Sequence, residues 1–410
     1  MARDFDTAYA GMVIGAGLNL YPGQCLSINA ELAHYDLVCK LAEAAYAKGA
    51  RYVDVTWNSG RLARIRVDLS REEDLPFVPE YVVAISDEQL TGDWAFLSLV
   101  PTDENDALEG ASPQRLESVM RHRQLKQQRM LTELLRFQHA WCVIAVPSPR
   151  WGAKVLGLPE GADAAAALME KLIPILHLDQ EDPGKTWQAH ARTLLLRAQR
   201  LTDLKLDRVR FRSPDTDLTV GLNPGAAWLG GAATTPDNRL FLPNLPTEEV
   251  FTTPDYRRTE GHVRLTRPVK VLGELVHGVV LEFRHGKVVS FQAEKGAGSL
   301  EAYLATDGGA SFLGEVALVD SHSPIYQSGL LFYNILLDEN AACHIALGAG
   351  LPTLLAQAQD LVDDDAKKAA GCNASLVHTD VMIGSPETEV IGIGAHGEEI
   401  PIIHEGAFAI

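Results

Sequence analysis

Acidic and imidazole side chains recur in the second half of the chain, each among apolar or small neighbours. They are Glu249, Glu315, Glu339, His344, His378 and Asp380. Burying such groups without partners is costly, so their surroundings predict partners of opposite charge. A divalent cation satisfies several carboxylates at once. The pattern therefore indicates a metal site with more than one ion.

Spacing along the chain suggests which elements carry these residues. His378 and Asp380 are two apart, so on a strand they face the same side and can share one metal centre. His344 follows an asparagine suited to cap a helix, which predicts that it projects from a short helix. Taken singly, Glu249 also fits a helix start or loop, and Glu315 fits a strand-end salt bridge. His344 alone fits a core histidine, but their joint occurrence in one domain favours metal.

The first half of the chain contains the signals of alternating helices and strands. Hydrophobic periodicity and stop signals predict helices at 30–48, 112–140, 163–172 and 186–204, and strands at 51–57 and 141–146. The segment 15–17 predicts a turn, because it lacks the third glycine of a dinucleotide fingerprint. Four histidines are expected on the surfaces of polar helices: His34, His122, His139 and His190. The alternation of helices and strands predicts an α/β domain over residues 1–215.

The second half changes to strand periodicity from about residue 207. Alternating patterns predict strands at 208–211, 218–222, 263–272, 279–283 and 288–291, the last two joined by a hairpin loop at 284–287. Residues 216–410 are therefore expected to form a β-rich, metal-binding catalytic domain. The predicted fold class is mixed α/β, with the N-terminal α/β domain followed by this one.

Composition limits the kinds of partner. A chain of 410 residues with 46% hydrophobic content is long enough for about two domains. Its net charge of −18 argues against nucleic acid and anionic membrane as partners, because both select basic surfaces. Five cysteines without a CxxC pair fit reduced thiols and a cytoplasmic location. No signal peptide or transmembrane segment is expected.

Several motifs in order resemble one known family, the thermophilic aminopeptidase T family, which includes aminopeptidase S and PepS enzymes. Four of them contain the residues above: NLPTEEVFTTP at 244–254, GEVALV at 314–319, DENAACHIALG at 338–348 and HTDVMIG at 378–384. Two more, LNLYPGQ at 18–24 and VPSPRW at 146–151, extend the resemblance along the whole chain.

This resemblance implies a metal-dependent aminopeptidase that removes N-terminal residues from peptides with a free N-terminus, working as a homodimer. It implies that the metal ligands are Glu249, Glu315, Glu339, His344, His378 and Asp380. Glu315 would bridge two divalent ions and be the catalytic residue. Such ions lower the pKa of a shared water and polarise the scissile carbonyl. Carboxylate-rich sites bind Zn, Co, Mn or Mg, so the sequence does not name the metal.

The chain departs from the family at one position. Members carry a tyrosine seven residues beyond the histidine that matches His344, whereas this chain has Leu351. Tyr326 and Tyr333, which lie between the Glu315 and His344 motifs, are candidates to supply a hydroxyl instead.

Two alternative functions remain open at this stage. His344, His378 and Asp380 also form a two-histidine, one-carboxylate set suited to mononuclear iron, as in ring-cleaving dioxygenases distantly related to the same fold. Against it, a single iron would leave Glu249 and the other glutamates as excess buried charge. A metal-binding protein without catalysis is the other alternative.

Overall fold

The computed structural model describes residues 4–104, 106–361 and 363–410. Its helices are α1 (Phe5–Met12), α2 (Tyr35–Ala47), α3 (Gly60–Leu69), α4 (Glu80–Thr91), α5 (Pro113–Lys126), α6 (Gln128–Leu135), α7 (Pro149–Leu156), α8 (Ala162–Ile175), α9 (Pro183–Leu204), α10 (Ala297–Leu304), α11 (Pro324–Gln327), α12 (Ile335–Asp338) and α13 (Asp364–Ala369). Single 3₁₀ turns include Leu32–His34, Glu339–Ala341 and Pro352–Leu354, and Val13–Gly17 is a π-helical turn.

Many short strands accompany these helices. They are β1 (Cys25–Glu31), β2 (Tyr52–Asn58), β3 (Trp94–Leu99), β4 (Trp141–Ile144), β5 (Arg208–Ser213), β6 (Thr216–Leu222), β7 (Leu229–Gly230), β8 (Ala233–Thr234), β9 (Leu240–Phe241), β10 (Asn244–Leu245), β11 (Glu249–Thr252), β12 (Pro254–Arg264), β13 (Val269–Val271), β14 (Glu274–Val276), β15 (Val280–Arg284), β16 (Lys287–Gln292), β17 (Leu313–Val319), β18 (His344–Gly348), β19 (His378–Met382), β20 (Glu389–Ile393), β21 (Glu399–His404) and β22 (Ala407–Phe408). The mixed α/β fold class predicted from the sequence is confirmed.

The chain forms two compact units. The first comprises the residues up to Ala189 together with Ala232–Leu245, and the second comprises His190–Gly231 and Pro246–Ile410. The domain boundary expected at residues 215 and 216 falls inside the second unit, where β5 and β6 pair as a hairpin. No helix in the described part of the chain is long and apolar enough to cross a membrane.

The first unit is built on a parallel sheet with strand order β10-β4-β3-β1-β2. Central strands of a parallel sheet are covered on both faces, which favours apolar side chains there. Leu26, Ile28, Leu97 and Ile144 accordingly are almost completely buried. Helices and strands alternate through this unit, as the sequence pattern predicted.

Several predicted helix bounds in the first unit were wrong. The helix expected from residue 30 begins at Tyr35, because Glu31 ends β1 and its carboxylate accepts N–H bonds of 2.8–3.1 Å from the backbone of residues 102–104. The helix expected over 112–140 is two helices, α5 and α6, which are separated at Gln127. Residues 136–140 are not helical and connect α6 to β4. Helix α8 continues through Pro174 to Ile175, because the missing proline N–H removes a single hydrogen bond and the helix ends one residue later.

The second unit contains two antiparallel sheets. The larger has the strand order β16-β15-β12-β6-β5-β20-β21-β22, and the smaller has the order β19-β18-β17-β11-β7. The hairpin predicted at 284–287 is confirmed as the β15–β16 turn. The single strand expected over 263–272 is wrong, because β12 ends at Arg264 and β13 begins at Val269. The smaller sheet carries five of the six predicted metal ligands.

Candidate metal centre

Five of the six predicted ligands lie on four adjacent strands of the smaller sheet. Glu249 begins β11, Glu315 lies in β17, His344 begins β18, and His378 and Asp380 lie in β19. His344 is therefore on a strand, and the short helix expected for it was wrong. His378 and Asp380 do share a strand, as their spacing predicted.

The register of the sheet brings these side chains to one face. Residues directly opposite each other on neighbouring strands project to the same side. Glu315 is opposite Ala346, which is opposite Asp380 on the next strand. Ala317 is likewise opposite His344. Alanine has little volume, so these cross-strand pairs leave space beside each polar side chain.

The same alternation holds at both ends of the cluster. His378 is opposite Gly348, and Glu249 is opposite Val319, which shares a face with Glu315 because strand residues alternate. A side chain at Gly348 would collide with the backbone of Val377, and its φ of 107° also favours glycine. Backbone packing therefore keeps this position small.

The ligand atoms form two groups that share one residue. Glu249, Glu315 and His344 have donor atoms within 4.8 Å of one another, and so do Glu315, His378 and Asp380. Each group holds carboxylate oxygens and a single imidazole nitrogen. Glu315 belongs to both, so the two groups are neighbours joined through its carboxylate.

Both imidazole rings are held by backbone carbonyls. His344 Nδ1 lies 3.1 Å from the oxygen of Ala342, and His378 Nδ1 lies 2.7 Å from the oxygen of Ala349. A carbonyl only accepts, so each Nδ1 carries the hydrogen and each Nε2 is left to face the carboxylates. Metal-binding histidines are fixed in this way in proteins.

The Nε2 atoms point at acidic oxygens. His344 Nε2 lies 3.2 Å from Glu249 Oε2, and His378 Nε2 lies 3.4 Å from both Glu315 Oε2 and Asp380 Oδ1. Glu249, Glu315, His344 and Asp380 are buried, whereas the His378 side chain is 30% exposed. Solvent therefore reaches the cluster on the side of His378.

Burial and mutual repulsion change the acidity of these groups. Desolvation raises the pKa of Glu315, and the charges of Asp380 and Glu249 add to this rise. Desolvation lowers the pKa of each histidine, but the facing carboxylates outweigh it and raise the pKa of His344 to about 10 and that of His378 to about 11. Without a cation, protonated imidazoles thus supply the positive charge that the carboxylates need.

The residues present fit a divalent ion. Among the described residues, the buried Oε2 of Glu249 has no hydrogen bond of good geometry, despite the imidazole 3.2 Å away. Carboxylate oxygens and oriented imidazole nitrogens are the donors that Zn²⁺ and similar ions take. A cation between these groups would satisfy that oxygen and displace the protons.

Comparison with known proteins also indicates a metal-dependent protein. The family profile of thermophilic metalloproteases (M29) matches residues 6–408. The chain belongs to this family. Aminopeptidase T of Thermus thermophilus is 38% identical over 402 residues, which cover 98% of this chain and 97% of that protein. Aminopeptidase 2 of Geobacillus stearothermophilus is 36% identical over 401 residues, with the same coverage.

A solved structure of a relative has the same fold as this chain. The structure titled wild-type AmpT from Thermus thermophilus matches with a TM-score of 0.89 and 36% identity, covering 99% of both chains. The resemblance predicted from the motifs is thus confirmed, and the protein is a hydrolase of the metallo-aminopeptidase class. The dioxygenase alternative is not supported, and His344 and His378 also lie in different groups of three.

Glu339, the sixth predicted ligand, belongs to neither of the two groups of donor atoms. It begins the 3₁₀ turn that precedes β18, and its Oε1 accepts a hydrogen bond of 3.4 Å from Asn340 Nδ2. Desolvation and the charges of Glu249 and Asp380 raise the pKa of Glu339 well above its usual value. The carboxylate is therefore within electrostatic reach of the centre.

Two histidines expected on the surface have buried partners instead. His190 Nε2 lies 3.2 Å from Oε2 of Glu248, a buried carboxylate next to Glu249. His34 is 2% exposed, and its Nε2 lies 2.9 Å from Thr102 Oγ1. Sequence reasoning missed both because the partners are far away in the chain.

The position of the family tyrosine lies close to the cluster. Leu351 follows Ala349, the carbonyl partner of His378, by two residues, and its N–H donates to Thr253 Oγ1 at 3.2 Å. Tyr326 lies in α11, with the Arg267 guanidinium 5.8 Å from its ring centroid. Tyr333 has a left-handed backbone with φ of 53°. The leucine cannot donate a hydrogen bond from its side chain.

Proposed function

We propose that this protein is a dinuclear aminopeptidase. The ligands to its two divalent ions would be Glu249, Glu315, Glu339, His344, His378 and Asp380. The observation that carries the proposal is the position of Glu315, whose carboxylate belongs to both groups of donor atoms. A carboxylate has two oxygens and can serve two cations at once, so one bridging residue with one imidazole on each side suits a pair of ions.

The ions would supply Lewis acidity, which makes hydroxide available near neutral pH and polarises a peptide carbonyl. The chain's own residues prepare the place for this chemistry. Glu315 joins the two groups, and it is the proposed catalytic residue because its carboxylate would hold both ions. The carbonyls of Ala342 and Ala349 keep the two imidazoles turned toward the cluster.

The proposed donor set favours a substrate with a free amino terminus. Its four carboxylates would balance the charge of two divalent ions, so the ions would remain able to take a further neutral donor. A free α-amino group is a Lewis base that one ion or a nearby carboxylate would hold, whereas the nitrogen of an acylated terminus is an amide and offers no lone pair. The more exposed side chain of His378 marks the side from which a peptide would approach.

Chelation and blocked substrates test this proposal together. Treatment with a chelator is expected to abolish hydrolysis of unblocked aminoacyl p-nitroanilides, and Zn, Co, Mn or Mg is expected to restore it. Elemental analysis of the active protein should give two ions per chain. N-acetylated versions of the same substrates should resist cleavage. Equal turnover of free and acetylated substrates would reject the aminopeptidase, and one ion per chain at full activity would reject the dinuclear centre.

We also propose that the enzyme works as a homodimer on peptides in the cytoplasm. The five cysteines, all within the described residues, are unpaired, which fits a reducing compartment. Light scattering on the purified protein would test the dimer, and a monomer that retains full activity would contradict it.

A further inference from the structure

Two of the proposed ligands lie at the ends of regular elements, where backbone position is least constrained. Glu249 is the first residue of β11, and Glu339 lies in a 3₁₀ turn outside the sheet. The ends of helices and strands fray, because the residue just outside each end lacks the regular backbone hydrogen bonds of the element. A centre built from them needs additional hydrogen bonds to hold both carboxylates in place.

The side chain of Asn340 provides such bonds to both segments. It is completely buried. Its Oδ1 accepts the backbone N–H of Glu248 at 2.7 Å, and its Nδ2 donates to Glu339 Oε1 at 3.4 Å and to the Leu336 carbonyl at 3.0 Å. The residue is itself fixed through its carbonyl, which accepts a 3.0 Å hydrogen bond from Ser323 Oγ.

We propose that Asn340 is a positioning residue of the metal centre. Its amide oxygen fixes the backbone that leads into Glu249, and its amide nitrogen fixes the Glu339 carboxylate. Asn340 and Glu248 are 92 residues apart in the chain. One planar amide group thus sets the distance between Glu249 and Glu339, two ligands that are similarly distant in sequence. The inference rests on the proposed function only in taking the carboxylates as metal ligands.

The chemistry of these contacts requires an amide. One contact needs an acceptor and two need donors, and a carboxamide offers both in a fixed geometry. Aspartate keeps the acceptor but loses both donors, and alanine loses all three contacts. A second buried asparagine in the same unit offers a matched comparison. Asn223 accepts from the Gly225 N–H at 3.0 Å and donates to the Ala370 carbonyl at 2.6 Å, and none of these groups is a proposed ligand.

The test compares Asn340→Ala with Asn223→Ala in the full-length protein. Each metal-free variant is titrated with Co²⁺, whose visible absorption reports coordination geometry. We expect Asn340→Ala to bind Co²⁺ about 10- to 100-fold more weakly than wild type, the usual effect of losing a group that orients a ligand, and to show altered absorption bands. In the hydrolysis assay it should lower kcat by a similar factor with little change in KM. Asn223→Ala should match wild type in Co²⁺ affinity and spectrum, whatever its melting temperature.

Each outcome decides the proposal. A folded Asn340→Ala protein with the wild-type Co²⁺ affinity and spectrum would overturn it, and so would equal losses in both alanine variants. If Asn340→Ala fails to fold, Asn340→Asp decides instead: it keeps the acceptor for Glu248, and an unchanged spectrum there overturns the contact to Glu339. A wild-type protein that binds Co²⁺ without hydrolysing peptides would refute the proposed function, while the titration still decides the role of Asn340.

Discussion

Replacing Glu315 with glutamine is the most direct perturbation of the shared centre. Glu315→Gln keeps the shape of the side chain but removes the charge that both groups of donor atoms use. Since the carboxylate belongs to both groups, we expect the variant to lose affinity for both ions and, with it, peptide hydrolysis. In the metal-free protein the same change should be neutral or stabilising, because it relieves repulsion among buried carboxylates.

The size of the effect follows from ligand linkage. An ion present at about 100 times its dissociation constant stabilises the folded state by about 2.7 kcal/mol, so two ions contribute roughly 5 kcal/mol. In domains of about 150–250 residues each kcal/mol shifts Tm by about 2–4 °C. Metal should therefore raise the melting temperature of the wild-type second unit by roughly 10–20 °C, and that of Glu315→Gln by only a few degrees.

Thermal melts with and without Zn²⁺ measure this difference, together with elemental analysis and p-nitroanilide hydrolysis. Glu301→Gln is the matched control, because it makes the same change on an exposed face of α10 in the same unit. It should behave as wild type throughout. Two ions per chain and a wild-type metal shift in Glu315→Gln would refute the shared role of this carboxylate.

Three further changes have defined outcomes. Glu248→Ala should destabilise the protein by roughly 1–3 kcal/mol in urea melts, because it leaves the partly buried His190 without its 3.2 Å carboxylate partner; an unchanged midpoint would show the pair is neutral. Leu351→Tyr should raise kcat on aminoacyl p-nitroanilides without changing metal content, since one oxyanion donor is typically worth about a hundredfold; an unchanged or lower rate in folded, loaded protein would mean that Leu351 only packs. Metal affinity should rise with pH from 6 to 9 and binding should release protons, because the pKa values of about 10 and 11 for His344 and His378 keep both imidazoles protonated in the metal-free state; calorimetry in buffers of different ionisation heat that finds no release would contradict this.

Much of the cluster could be predicted because its signals are local. A spacing of two places His378 and Asp380 on one side of a strand, and the sheet contains them in that arrangement. The hairpin at 284–287 was recognisable from two alternating runs and a short polar loop. Polar groups among apolar neighbours also identified Glu249 and Glu315 as unusual residues, both of which are buried.

Other features depend on partners that are distant in sequence. The apolar run after His344 is too short to distinguish a helix from a buried strand, and pairing with β17 and β19 decides it. The asparagine at 340 suggested a helix cap, but its side chain binds the backbone of Glu248. The start of α2 at Tyr35 similarly depends on the contact between Glu31 and residues 102–104. The hydrophobic periodicity of a segment cannot predict contacts with residues that are distant in sequence.

The strand order of the smaller sheet has a consequence for biosynthesis. The first group of donors, Glu249, Glu315 and His344, is complete once β11, β17 and β18 have left the ribosome and paired. The second group needs β19, which is synthesised later and pairs only with β18 in this sheet. On the proposed two-ion centre, the nascent chain would therefore be able to hold one cation before the donors for the other have been made. The two groups would then fill in the order in which their strands leave the ribosome.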